Sequence, residues 1–328
     1  MKAFAAFLFA GLTLVFTLLP IAQNLPDPLT VWAYPWAYPT SEGESDSATD
    51  PDKSIHVPES TVMYSYKDTR DIFHAPDWHP DDHPSIPAVV EYGRKPAVFA
   101  CGYCHRADGS GGPENASLAG LPHEYIVQQV AAFKNGTRKA TISPDNGPFH
   151  YMHAVATAVT ESETNIAATY FSAIKPKRNI AVVETDTIPT TRMVGHFFAY
   201  VKNGSKEPIG NRIVEVPNDE EQFENRDPRT QFTAYVPVGS LKRGELLATG
   251  KDPQKAVRCE TCHGPGLRGS GLIPRIAGRS PSFIARQLYD FKHGGRTGSA
   301  SAPMLAVVAN LSSDDMQSLA AYVSSLSP

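Results

Sequence analysis

The sequence predicts a mainly α-helical protein built from two copies of one helical unit with a small β-rich insert between them. Three observations carry that expectation. A Cys-x-x-Cys-His pentapeptide occurs twice, as Cys101-Gly102-Tyr103-Cys104-His105 and Cys259-Glu260-Thr261-Cys262-His263, and together these use all four cysteines. Each pentapeptide is followed at the same distance by a segment of helical periodicity and, once six extra residues in the first copy are allowed for, by a helix-start signal. The stretch separating the copies instead contains short runs of β-branched and aromatic residues broken by turn residues.

Cys-x-x-Cys-His is the attachment signature of c-type haem. Two thiols spaced by two residues can each form a thioether to a haem vinyl group, and the adjacent imidazole then falls where it can bind iron. One such pentapeptide alone would also fit a redox cysteine pair or half of a zinc site. Two of them, with matching sequence downstream, do not fit those readings. The expected cofactors are therefore two covalently bound haems c, attached at Cys101, Cys104, Cys259 and Cys262, with His105 and His263 as proximal iron ligands.

The 328 residues are enough for about two domains, and a net charge of −4 offers no general attraction to nucleic acid. No cysteine remains for a disulfide. Residues 1–22 comprise Met1, Lys2 and an almost unbroken apolar run ending at Ala22. A charged start, an apolar core and a small final residue describe a secretory signal. The run is also close to the length that spans a bilayer, so a retained anchor is the alternative to cleavage, with export common to both. Residues 23–86 read as a Pro- and aromatic-rich extension and linker. Within it, Trp32, Tyr34, Trp36 and Tyr38 form a short tandem repeat whose rings suit either a membrane interface or packing on the folded body. Residues 41–53 read as a solvated acidic linker. His74, Asp77, His79, Asp81, Asp82 and His83 match no closed zinc spacing and read as a surface loop.

The first unit is placed at 87–175. Residues 88–92 suit a short helix stopped by Gly93, 125–133 a middle helix, and Thr160 with Glu163 a capping box opening a last helix through Tyr170 and Phe171. The second unit, 241–328, repeats this plan. Residues 241–249 with Gly250 give the leading helix, 283–291 the middle one, and Ser312 with Asp315 the cap of the last. The insert, 176–240, shows strand-like runs at 181–185, 196–201, 212–216 and 232–236.

The repeat also supplies candidates for the sixth iron ligand. Met152 aligns with Met304 once six extra residues in the first copy are allowed for, and each lies the same distance before its capping box. A lone methionine is usually core packing. Equivalence in the repeat favours ligation, since thioether sulfur suits iron opposite an imidazole. His150 and His153 flank Met152 and keep a bis-histidine first haem as a minor alternative. Met193 and His196 in the insert are weaker candidates. Arg138 and Arg296 occupy equivalent places and read equally well as partners of haem propionates or as solvated charges.

The two pentapeptides, the downstream methionines, and the segments Phe133-Lys134-Asn135-Gly136 and Phe291-Lys292-His293-Gly294 resemble the dihaem cytochromes c of the cytochrome c4 type. The resemblance covers both units, about half of the chain. It implies two tandem class I cytochrome c domains with haems facing each other near the interface, and electron transfer between redox partner proteins. In that family a proline carbonyl orients the proximal imidazole. Pro274 fills this place in the second copy, whereas the first has Ala116, with Pro113 as a possible substitute. The insert is the other departure, expected to clasp the two units or, as the alternative, to offer a docking surface.

Function then divides between classes. An electron carrier, exported to the periplasm and shuttling between a dehydrogenase and an oxidase or reductase, needs both axial positions filled. A dihaem peroxidase or sulfur-oxidising enzyme needs an exchangeable position. A fixed cytochrome subunit of a membrane complex, associated through the N-terminus, keeps the carrier chemistry and changes only the partner.

Overall fold

In the computed structural model, the described residues are 26–37, 49–142, 147–255 and 258–328. The expected export signal or anchor at residues 1–22 and most of the acidic linker lie outside them. No helix among the described residues is long and apolar enough to cross a membrane.

The chain first forms helix α1 (Pro28–Ala33), where a Pro-rich linker was expected. Asp27 caps it, accepting from the Leu29 amide at 2.9 Å, and Pro28 occupies the first turn, where its missing N–H is not needed. The aromatic repeat then turns inward. Trp32 and Tyr34 are buried in the core of the second unit, so packing on the folded body, not a membrane interface, accounts for them. A two-residue hairpin, β1 (Ser54–Ile55) with β2 (Tyr64–Ser65), covers Trp78.

The first unit comprises α2 (Ala88–Glu91), α3 (Cys101–His105), α4 (His123–Lys134), α5 (Pro148–Ala158) and α6 (Glu161–Ala173). The Thr160–Glu163 capping box is present in both directions. Val90, Leu121, Ala168 and Phe171 form its core. The second unit comprises α8 (Ser240–Ala248), α9 (Glu260–His263), α10 (Pro281–Lys292), α11 (Ala302–Val308) and α12 (Ser313–Ser325), the last again opened by a reciprocal capping box, Ser312 with Asp315. Its core is larger, because α1 and the insert residues Ile213 and Val236 join Leu288, Met316 and Ala320. Helices α8 and α12 cross closely at Gly244, where a Cβ would meet the Ser318 carbonyl oxygen at 2.1 Å.

The insert holds β3 (Ile180–Glu184), β4 (Thr187–Pro189), β5 (Thr191–Val194), β6 (Phe197–Tyr200), β7 (Lys206–Pro208), β8 (Val214–Pro217), α7 (Glu220–Glu224) and β9 (Phe232–Val236). Its three-stranded sheet has the order β3-β9-β8, with β3 parallel and β8 antiparallel to the central β9; β4 pairs with β7, and β5 with β6. The insert bonds both the segment before the first unit and the second unit. Trp78 Nε1 donates to the Asn225 carbonyl at 2.7 Å, and buried His79 bonds Asp227 at 3.0 Å. Asp82 accepts from Arg229 and Lys177. The acidic and histidine-rich stretch is therefore not a free surface loop: His79 and Asp82 tie it to the insert, and His83 bonds Asp77 within it. Among the described residues no group of three or more metal-binding side chains is assembled.

Candidate functional site

Helix α3 is one and a half turns long and holds both cysteines and His105. It lies over α2, and Gly102 is the contact that lets it in: a Cβ there would stand 3.1 Å from the Val90 carbonyl oxygen of α2 and 2.9 Å from the Ala75 Cβ. His105 Nδ1 is 2.8 Å from the Ala116 carbonyl oxygen. In the second copy His263 Nδ1 is 2.8 Å from the Pro274 carbonyl oxygen. Burial holds both imidazoles below their ordinary range, against the upward pull of these bonds, so both rings are neutral near pH 7. A neutral ring that donates through Nδ1 presents the Nε2 lone pair, which is the state an iron ligand requires. Pro113, offered as the substitute for the family's proline in the first copy, does not orient His105. The acceptor is a main-chain oxygen, so alanine serves as well as proline, and the Pro113 carbonyl accepts from Arg286 instead.

One apolar cavity is lined by Cys101, Cys104 and His105 on one side and by Met152 of α5 on another. His150 and His153 do not line it; the His153 ring bonds the Phe133 carbonyl at 3.0 Å. Met193 and His196 do not line it either, and His196 packs edge-on to Trp36. In the second unit, Met304 and Cys259 flank the same core cluster. Burial pushes the Cys101 thiol up to about 12 and the Cys259 thiol up to about 11. Catalytic redox cysteines show the opposite shift.

The rest of the cavity is closed by residues from outside the first unit. Arg279, Phe283, Arg286 and Asp290 come from the second unit, and Tyr34 and Trp36 from the N-terminal segment. Tyr34 donates to Asp290 Oδ1 at 2.8 Å, and Arg286 donates to the Ala33 carbonyl at 2.8 Å. None of these was legible as a site residue, because they belong to segments other than the unit that carries the first pentapeptide.

The two units meet along a short antiparallel bridge in which Arg138 faces Arg296, its own repeat equivalent. A residue opposite its own counterpart marks a local two-fold relation. The side chains obey it. Arg138 donates to Gln129 at 2.7 Å and to Gln287 at 3.0 Å, while Arg296 donates to Gln287 at 3.1 Å and to Gln129 at 2.8 Å. Both arginines are buried, which removes the reading as solvated surface charges. Burial, then the charge of Arg296, pushes the Arg138 guanidinium down to about 9. The Nε atoms of Arg138, Arg296 and Arg279 are buried without partners. Buried cations without an anion are costly. An apolar cavity with two thiols and an imidazole on its wall, and the guanidiniums of Arg138 and Arg279 in its lining, fits an amphiphilic ligand that is apolar in its body and carboxylate-bearing at one edge. Haem is such a ligand.

No family model matches the chain. It is 25% identical over 240 residues to the thiosulfate dehydrogenase electron acceptor of Thiomonas intermedia, covering 71% of this chain and 82% of that protein. It is 24% identical over 230 residues to cytochrome c4 of Azotobacter vinelandii, covering 69% of this chain and 84% of that protein. Over 76 residues it is 37% identical to cytochrome c-554(547) of Halothiobacillus neapolitanus, covering 21% of this chain and 84% of that protein. With the repeated pentapeptides, the paired helical units and these relatives together, the chain belongs to the dihaem c-type cytochromes of the cytochrome c4 type, electron-transfer proteins that carry two covalently bound haems c.

Proposed function

We propose that this protein is a periplasmic one-electron carrier in which each helical unit holds one haem c with histidine and methionine as axial ligands. Cys101 and Cys104 carry the first haem and Cys259 and Cys262 the second; His105 and Met152 bind one iron, and His263 and Met304 the other. The observation that carries this assignment is the repeat of the proximal geometry, an imidazole Nδ1 held at 2.8 Å by a main-chain carbonyl in both copies. A bound haem supplies a one-electron couple. The chain's own residues do the rest. The carbonyls fix each imidazole's tautomer and orientation, the apolar walls exclude water, and Arg138, Arg279 and Arg296 receive the propionates. With both axial positions filled by side chains, no position stays open for peroxide or sulfur chemistry.

The partners are redox proteins. A dehydrogenase in the same compartment suits the donor side, in keeping with a relative whose name makes it the electron acceptor of thiosulfate dehydrogenase. The proposal is tested by counting haem per chain and recording the visible spectrum of the reduced protein before and after carbon monoxide. Two haems and an unchanged spectrum are expected. A carbon monoxide adduct on either haem would remove the assignment of the methionine on that haem and reopen the enzymatic reading.

A further inference from the structure

Placed in register, the two cysteine turns differ in one feature that the haem signature does not require. The residue after the histidine is left-handed in both copies, with φ 67° at Arg106 and φ 73° at Gly264. Glycine adopts this conformation freely, whereas a side chain there is strained. The first copy nonetheless places an arginine there and buries it, 1% exposed. Its guanidinium lies 4.5 Å from the centroid of Phe223 in α7, and its N–H groups reach main-chain carbonyls of Tyr103 and Phe223. Among the described residues no carboxylate forms an ion pair with it.

A second arginine meets the same turn from the insert. Arg226, just after α7, is also left-handed, at φ 66°. Its guanidinium stands 4.3 Å from the centroid of Tyr103, inside the first pentapeptide, and donates to the Tyr103 hydroxyl at 3.1 Å. Its Nε is buried without a partner. Both charges bear on Cys104. In the second turn Thr261 stands in place of Tyr103 and Gly264 in place of Arg106, so neither contact is repeated. Two cations with strained backbones against one cysteine turn, Arg106 fully buried and Arg226 half-buried, call for a reason specific to that copy.

We propose that Arg106 and Arg226 tune the first haem, holding its reduction potential above the value the same turn would give without them. Reduction adds one electron at the iron, and positive charge fixed nearby in a low-dielectric interior stabilises the reduced state. The insert then sets the potential of one haem as well as clasping the units. This rests on the two-haem assignment above.

The test is a spectroelectrochemical titration of the purified protein, with haem counted per chain, on Arg106→Gly, Arg226→Gln and Arg226→Lys. Arg106→Gly installs the residue the second copy uses at that turn, so the backbone is safe. Arg226→Gln removes the charge and keeps a donor for Tyr103, while Arg226→Lys keeps the charge. Arg106→Gly and Arg226→Gln are each expected to lower one midpoint only, by about tenfold in the reduction equilibrium or ~59 mV for a one-electron couple. Arg226→Lys should leave both in place. Met304→His, which moves the second haem's wave, identifies the other as the first. Unmoved midpoints, or two moving together, in protein carrying two haems would overturn the inference. So would loss of the first haem in both charge-removing variants, which would make the arginines structural. Fewer than two haems in the unaltered protein would instead sink the dihaem assignment.

Discussion

The two cysteine turns share a backbone and differ in what surrounds them. Each bonds its imidazole to a carbonyl eleven residues on, at 2.8 Å, although one carbonyl belongs to alanine and the other to proline. The first turn is roofed by the insert, so that Gly102, Tyr103 and Arg106 are all buried. The second lies at the surface, with Thr261 and Cys262 exposed, while the core behind it is enlarged by α1 and the insert. The setting of the histidine is thus kept by the repeat, and the segments that are not repeated make the copies unequal. One consequence is that identical substitutions in the two units should give the same ligand chemistry and different stability.

The largest expected effect tests the shared part. Met152→Ala and Met304→Ala should each open one iron, so that half of the reduced haem binds carbon monoxide in either variant and all of it in the double variant. Carbon monoxide titration followed in the visible spectrum reads this directly. An adduct in one variant only would break the equivalence of the two sites.

The next effect separates the units. Gly244→Ala brings a Cβ to within 2.1 Å of a backbone oxygen in α12, and the helices must part. The thermal or denaturant transition of the second unit should lose about 3 kcal/mol. The first unit has only the short α2 in the leading position, and the titration of its haem should be unaffected. A loss below about 1 kcal/mol would show that α8 and α12 can separate at little cost.

How much of this was visible in the sequence follows the same division. A haem imposes spacing, so the cysteines, histidines, capping boxes and middle helices recur at readable intervals. Residues 125–133 and 283–291 lie inside helices that run only one or two residues further at each end. All four strand runs in the insert correspond to strands, but β4, β5, β7 and α7 were missed because three to five residues carry little periodicity. Helix α1 was hidden by Pro28 and Trp32, and the burial of Trp32 depends on a surface supplied by the far end of the chain. The same holds for His79, whose partner Asp227 is 148 residues away. Arg106 left a faint trace, an arginine aligned with Gly264, but only the backbone angle gives it meaning.

The capping boxes sharpen the comparison further. Asp315 is buried and accepts from Arg243 and Lys255 as well as from the Ser312 amide. Glu163 holds the more exposed Arg94. Asp315→Asn should therefore cost about 2 kcal/mol, as for hydrogen bonds between charged groups. Glu163→Gln should cost about 0.5 kcal/mol, as for a surface pair. Denaturant unfolding of the holoprotein at neutral pH measures both. Equal losses would mean that burial of the second cap does not strengthen it.

The smallest effect is on acid sensitivity, and its sign follows from the direction of the shifts. Burial alone would raise the Asp315 carboxyl, but Lys255, the Ser312 amide and Arg243 more than offset it and hold it well below the usual carboxylate range. The Arg94 hydrogen bond, then Thr160, lowers Glu163 to about 2. A carboxyl lowered on folding takes up its proton first in the unfolded chain. Its contribution is complete above the unfolded value of about 4 and is lost as pH falls through the folded value. Both caps therefore weaken below about pH 4, and between pH 5 and 8 their contributions are complete and do not change with pH. Asp315→Asn should flatten the fall in melting temperature between pH 5 and 3 more than Glu163→Gln does, because the buried carboxylate serves two cations and the exposed one a single arginine. Equal flattening would show that the two caps respond to acid alike despite their different burial, and the inequality of the units would then stop short of their last helices.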